Sequence, residues 1–556
     1  MSTGKGTTPK SLMSYFSTPT KTLPLRNLRL YMRLCALALT LHSTIKAEEQ
    51  LDDQSHASIM PPGLIINWDC TEWFGSRPSE AMTTAGLQAL VDQYVGTQVS
   101  SIFFNPTSQR TAYASKERES FWDGNEKVDH LLVKNTRLLH EKGIDPYQVW
   151  IARCREKNIS PWISMRMNDL HYTDDPDAFT HGSFWKEHPE YRRVPDSKRG
   201  YSDQALDYSI KEVREYNLAL IRELLERYDA DGLELDFMRS SYHFKPGHEK
   251  QGALILQDFF RQVRQLTNDW ALRRGHPIKL AVRVPAVPEY ARGMGLDGVA
   301  LAREGLVDLL VPTPFWETAD FDIPMERWRE LLGPKADKVV LAAGMEGNIR
   351  GCRMPSELIA NGPETMRGFT ASMLDRGADR IYLFNHFSTP GSDSIQSNIY
   401  HEAGRMETVI QKPRRHILTF HDIVPPGVAK LPLLPTVLDN PSNPAQFRIH
   451  TGPDLSKGKV TVRVGLTQNP GIDEVKLAAR MNSIKCVPQA DCSDLSRFPI
   501  ARSGRASNAA TAVQRVLQFD APVSALQRGY NLVEVFLTGK AKQSIVWIEV
   551  YIVPDT

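Results

Sequence analysis

The chain reads as an α/β protein, a (β/α)8 TIM barrel followed by a small C-terminal all-β sandwich. Three observations predict this. Eight short β-branched or apolar runs alternate with longer amphipathic segments between Gly63 and His386. No glycine-rich phosphate loop follows the first run, which counts against a doubly wound nucleotide-binding sheet. From about His416 onward the pattern changes to short alternating runs separated by Pro, Gly, Asn and Asp, as in a sandwich.

The strand candidates, in order, are Leu64–Cys70, Ser101–Pro106, Pro161–Asp169, Gly232–Phe237, Lys279–Pro285, Val307–Phe315, Val339–Glu346 and Arg380–Phe387. Between them, segments such as Ile210–Tyr228 set Val213, Asn217, Leu220, Leu224 and Tyr228 near helical spacing, with charges in between. The longest excursion follows the third strand, from Leu170 to about Asp207, and is rich in aromatic and polar residues. Loops at the carboxyl ends of barrel strands build active sites, so this insertion is expected to wall a substrate. An amphipathic segment at Ile395–Gln411 closes the barrel. The runs Gln446–His450, Lys459–Leu466, Val513–Phe519, Asn531–Leu537 and Ser544–Val553 are the sandwich strands. The expected division is a leader at 1–47, a barrel at 60–415 and an accessory sandwich at 416–556.

A length of 556 residues exceeds one ordinary domain, and 41% hydrophobic with 24% charged residues is the composition of a globular protein. The formal net charge is only +2, so no global basic field exists to hold a nucleic acid. The six cysteines lack zinc-ligand spacing. Cys486 and Cys492 bracket a short loop and are either a disulfide of an oxidising compartment or two free thiols. Arg29 and Arg33 precede the apolar run Leu34–Leu41, and Ala47 follows shortly after. That order describes a secretory signal peptide, so a secreted or periplasmic location is expected. No other stretch approaches transmembrane length.

Strand alternation tells which side chains enter the barrel. In the fourth strand Leu233, Leu235 and Phe237 form the outward set, leaving Gly232, Glu234 and Asp236 inward. The third strand turns Ser164, Arg166 and Asn168 inward, the fifth Arg283 and the seventh Ala342, Gly344 and Glu346; the first places Asn67 and Asp69 on one face. The expected mouth is lined by Asp69, Arg166, Asn168, Glu234, Asp236, Arg283 and Glu346. Asp169, His171, Arg239, Glu317, Asn385 and His386 are further candidates, and Trp316 is a candidate platform for a sugar ring. Glycoside hydrolysis needs one ionised carboxylate and one protonated carboxyl across the scissile bond. Asp236, flanked by arginines at a strand's carboxyl end, suits the nucleophile or base; Glu346 or Glu317 suits the acid. Glu234 lies deeper and is expected in a buried ion pair with Arg166 or Arg283.

The stretch Asp231-Gly-Leu-Glu-Leu-Asp-Phe-Met-Arg239 resembles the fourth strand of bacterial glycosyl-hydrolase-like barrels similar to glycoside hydrolase family 10. His188-Pro-Glu-Tyr-Arg192 and Pro413-Arg-Arg-His-Ile-Leu-Thr419 look like the same group, over roughly residues 60–425. The resemblance implies a barrel that acts on or binds carbohydrate. It departs from the true family 10 xylanases, which end this strand in Asn-Glu where Asp236-Phe237 stands here, so their acid does not carry over. Two other classes fit the same residues. One is a non-catalytic carbohydrate-binding barrel. The other is a metal-dependent lyase or isomerase with Asp69, Glu234, Asp236, Glu346 and a histidine as ligands. Arg166 and Arg283 in that cavity would repel a divalent cation, so neither metal nor cofactor is expected.

Overall fold

In the computed structural model eight parallel strands close into a barrel: β1 (Leu64–Trp68), β2 (Val99–Phe104), β3 (Ser160–Arg166), β4 (Gly232–Asp236), β5 (Lys279–Pro285), β6 (Leu309–Thr313), β7 (Val340–Met345) and β8 (Arg380–Phe384). β8 pairs with β1 to complete the ring. The structure describes residues 60–195, 197, 201–384, 393–429, 433–501, 510–539 and 542–555, so the expected leader at 1–47 lies outside it. Among the described residues no helix is long and apolar enough to cross a membrane.

Most strands end one to three residues earlier than apolar patterning predicts. At β1 the cause is a helix cap. Asp69 Oδ1 accepts the Thr71 backbone N–H at 2.9 Å and starts the helix Cys70–Ser76, which takes Asp69 and Cys70 out of the strand. Helix Lys211–Arg227 matches its expected span to within a residue at each end.

Leu233 and Leu235 join the large core between strands and helices, while Ile65, Phe103, Trp162, Leu309 and Val340 pack together inside the barrel. In β1 and β3 the inward apolar residue comes first, Ile65 before Asn67 and Trp162 before Ser164 and Arg166. The Trp162 ring stacks on Phe103 with centroids 4.7 Å apart. Gly232 lies beside Trp162 in register, and a Cβ there would stand 2.4 Å from the indole. Only glycine lets β4 pass so close to that ring. The stacked rings fill the interior beneath Ser164 and Arg166, which lie further toward the carboxyl end of β3.

The sandwich consists of a six-stranded and a four-stranded antiparallel sheet. Its first strand, β9 (Arg414–Ile417), pairs with Gln543–Pro554 and so straddles the expected boundary at 416. In Ala445–His450 buried Phe447 and Ile449 alternate with exposed Gln446 and Arg448, the period-two pattern read in the sequence. Inside the larger sheet Glu549 is fully buried and bonds Arg415 at 2.6 Å, Arg463 at 3.1 Å and Trp547 Nε1 at 2.9 Å. Three donors compensate the desolvation of that carboxylate. Cys486 and Cys492 are free thiols. After β9 the chain turns back to the barrel, where Val424 O accepts from Tyr242 Oη at 3.0 Å.

Candidate active site

β3, β4 and β5 set Arg166, Asp236 and Arg283 side by side in register, a row of positive, negative and positive groups at the carboxyl side. Asp236 is the last residue of its strand and 1% exposed. Its Oδ2 accepts from Arg283 Nη1 at 2.8 Å and its Oδ1 from the Met238 backbone N–H at 2.8 Å, which caps the turn Phe237–Arg239. Those two bonds leave the carboxyl one orientation.

Arg166 takes other partners. Its guanidinium meets Asp69 Oδ2 at 2.6 Å and Asp169 Oδ2 at 2.7 Å, and Asp169 Oδ1 meets His171 Nε2 at 3.1 Å. Burial pushes the Asp69 carboxyl up, but Arg166, Arg239 and the Thr71 hydroxyl outweigh it and hold it well below the ordinary carboxylate range. Burial also opposes ionisation of Asp169, and His171, Arg166 and Arg239 reverse the balance and lower it. Arg239 Nη2 stands 3.3 Å from His171 Nε2. The Arg239 and Arg283 guanidinium carbons lie 5.3 Å and 4.0 Å from the Phe384 ring centre, which joins the two clusters.

One layer deeper, Glu234 forms no ion pair among the described residues, contrary to expectation. Its Oε1 accepts from Ser164 Oγ at 2.6 Å and Tyr382 Oη at 2.8 Å. Asn67 Nδ2 lies 3.0 Å from Ser164 Oγ, 2.6 Å from Tyr382 Oη and 3.2 Å from Glu234 Oε1. The reason is competition: both nearby guanidinium groups are already committed to aspartates nearer the rim. Burial first, and then the Asp236 charge, raise the Glu234 carboxyl to about 7 against Arg283 and the two hydroxyl bonds.

The remaining candidates are distributed unevenly. Glu346 follows the end of β7, is 2% exposed and acts electrostatically on Arg283. Glu317 lies on the loop after β6, held by Arg353 Nη1 at 3.3 Å and the Met354 N–H at 3.4 Å. Asn168, past the end of β3, spends both amide atoms on the long insertion: its Nδ2 donates to Leu206 O at 2.9 Å and its Oδ1 accepts Leu206 N–H at 3.0 Å. It anchors that wall. Trp316 is 47% exposed, the solvent-facing aromatic of its loop. Asn385 and His386 lie outside the described residues.

Sequence reasoning passed over Tyr382, Phe384 and Asp422. The first two were recoverable, because alternation along Arg380–Phe384 turns them to the same face. Asp422 had no local signal. It is buried beneath the loop after β6 and accepts the backbone N–H groups of Phe315, Trp316 and Glu317 at 2.9–3.0 Å. Burial pushes its carboxyl up to about 6 against those three bonds. Asp422 thereby fixes the loop that carries Trp316 and Glu317.

No protein-family model and no curated protein matches the chain. Among solved structures, one similar fold is the glycoside hydrolase domain of PgaB (BpsB) from Bordetella bronchiseptica, at 9% identity and TM-score 0.41, covering 62% of this chain and 99% of that one. Another is alpha-L-fucosidase isoenzyme 2 from Paenibacillus thiaminolyticus, at 14% identity and TM-score 0.40, covering 62% of this chain and 49% of that one. A third is a cycloisomaltooligosaccharide glucanotransferase from Paenibacillus sp., at 9% identity and TM-score 0.34, covering 88% and 57%. The chain thus spans about half the length of the last two. The three descriptions name a glycoside hydrolase domain, a fucosidase and a glucanotransferase, and none names a family 10 enzyme.

Proposed function

We propose that this protein hydrolyses O-glycosidic bonds of a poly- or oligosaccharide at the carboxyl-side mouth of the barrel. The observation that carries the reading is the Asp236 carboxylate, placed at the end of β4 and oriented by Arg283 and the Met238 N–H at 2.8 Å each. Asp236 serves as nucleophile or base, and Glu346, at the end of β7, as the proton donor to the leaving oxygen. Glu317, on the loop after β6 and paired with Arg353 at 3.3 Å, is the second candidate for that role. Trp316 offers an aromatic face to a sugar ring. The partner is carbohydrate, and residues 1–47 are read as an export leader, which puts the activity outside the cytoplasm.

The test is turnover of a panel of aryl glycosides and polysaccharides by purified protein. Asp236→Asn is expected to lower kcat/KM on the responding substrate by roughly 10³-fold or more, with sugar binding retained. Unchanged turnover in that variant overturns the assignment. Sugar binding without turnover in the wild type supports a carbohydrate-binding barrel instead.

A further inference from the structure

We propose that Glu234 is a positioning residue that stands beneath Asp236 as a neutral carboxylic acid, its Oε1 held by a hydrogen-bonded fork and its Oε2 carrying the proton. The inference rests on the reading of Asp236 as the reacting carboxylate, because its consequence is that β4 presents one negative charge to the substrate and not two.

The fork has a fixed direction. An amide nitrogen has two hydrogens, and Asn67 Nδ2 lies nearest the Tyr382 and Ser164 hydroxyl oxygens, at 2.6 and 3.0 Å. Each hydroxyl accepts from Asn67 and must therefore turn its own single hydrogen elsewhere. For both, the carboxyl partner is the same atom, Glu234 Oε1, at 2.8 and 2.6 Å. Oε2 is buried and makes no hydrogen bond to the described residues, and the same holds for Asn67 Oδ1. A carboxylate shares its charge between two oxygens, and stripping one of all donors in a dry interior is costly. A carboxylic acid divides the same two atoms into an acceptor and a hydroxyl. The asymmetry around Glu234 matches the acid.

The charges around it point the same way. On its own strand it faces Asp236. From β3 comes Arg166, whose guanidinium is engaged by Asp69 and Asp169. From β5 comes Arg283, engaged by Asp236. β8 contributes Tyr382, β1 the uncharged Asn67, and Glu346 of the β7 end acts on Arg283. Among the described residues no cation lies within ion-pair distance of Glu234. Among the described residues of this part of the barrel, five carboxyls (Asp69, Asp169, Glu234, Asp236, Glu346) meet three guanidinium groups (Arg166, Arg239, Arg283) and the His171 ring, a balance that favours a proton on one of the carboxyls. Burial and the Asp236 charge push Glu234 upward, so it retains its proton below neutral pH.

Infrared titration of the full chain tests this directly. At about pH 5.5 an ordinary glutamate is ionised. The wild type is expected to show the carbonyl band of a buried carboxylic acid at that pH, fading as pH rises past about 7. The component that fades near 7 should be absent in Glu234→Gln, where those of other buried acids such as Asp422 remain, and displaced in Tyr382→Phe, which removes one donor to the same oxygen. Tyr382→Phe makes the assignment if the glutamine variant does not fold. A wild type without a component fading near 7, or such a component surviving in Glu234→Gln, overturns the proposal. On a responding substrate, Glu234→Gln, which imitates the acid, should lose the alkaline decline of kcat centred near 7. A loss of about 100-fold at every pH would show that the carboxylate is the working form. If no glycoside is turned over, the reading of Asp236 fails, while the infrared result still decides the state of Glu234.

Discussion

Replacing Arg166 with methionine removes one guanidinium and strands two acids. Methionine has similar length and fills the volume, so the lost term is electrostatic. Arg166 is 1% exposed, the Asp169 side chain 0% and the Asp69 side chain 12%. Deleting one partner of a buried pair costs roughly 3–5 kcal/mol, because the other charge stays buried without compensation. Asp69 keeps two bonds from Thr71, at 2.9 and 2.6 Å, and Asp169 keeps His171. The expected loss is therefore near the lower bound, about 3 kcal/mol at pH 7. The pH dependence follows from the direction of each shift. In the wild type both acids are depressed relative to the unfolded chain, so their stabilisation is present above pH about 4 and is lost as pH falls through the folded values. Without Arg166 the burial that opposes ionisation is less countered, so the acids take up protons more readily as pH falls. The deficit should then shrink between pH 7 and pH 5. Urea unfolding followed by tryptophan fluorescence at both values measures it. A deficit below about 1 kcal/mol at pH 7, or one that is the same at pH 5, would refute the assignment of the mouth's rigidity to this triad.

Glu549→Leu leaves Arg415 and Arg463 facing an apolar side chain inside the sandwich, and should lower stability by about 3 kcal/mol, read as a fall in the urea midpoint. His243, His416 and His450 are held by burial below the ordinary histidine value, the first to about 3 and the last to about 4. Their stabilisation is complete above pH about 6.5 and declines as pH falls toward the folded values, by up to about 1.4 kcal/mol per pH unit for each. His416→Phe should flatten that acid slope in thermal unfolding, and an unchanged slope would count against it. Gly232→Ala drives a Cβ to 2.4 Å from Trp162 and should cost about 1–3 kcal/mol, partly recovered by adding Trp162→Leu.

Much of the architecture was written in local pattern. Strand period is two whatever lies around the strand, so Leu233 and Leu235 had to share one face and Glu234 and Asp236 the other. The same rule placed Arg166 and Arg283 beside Asp236. It says nothing of the partner of Asn168, two residues past the end of β3, whose amide is spent on Leu206 of the long insertion. It also overran β1, where Asp69 caps a helix.

Amino-acid order alone determined the barrel, the sandwich and the face on which each acid stands, because side-chain direction in a strand depends on position alone. The partner each acid takes was a matter for the folded structure. Arg166 reaches Asp69 and Asp169, Glu234 is left to Asn67, Ser164 and Tyr382, and Asp422 closes on a loop more than a hundred residues earlier. Ion pairs and hydrogen bonds depend on distances of a few ångströms between remote segments, and those distances exist only once the ring of strands has closed.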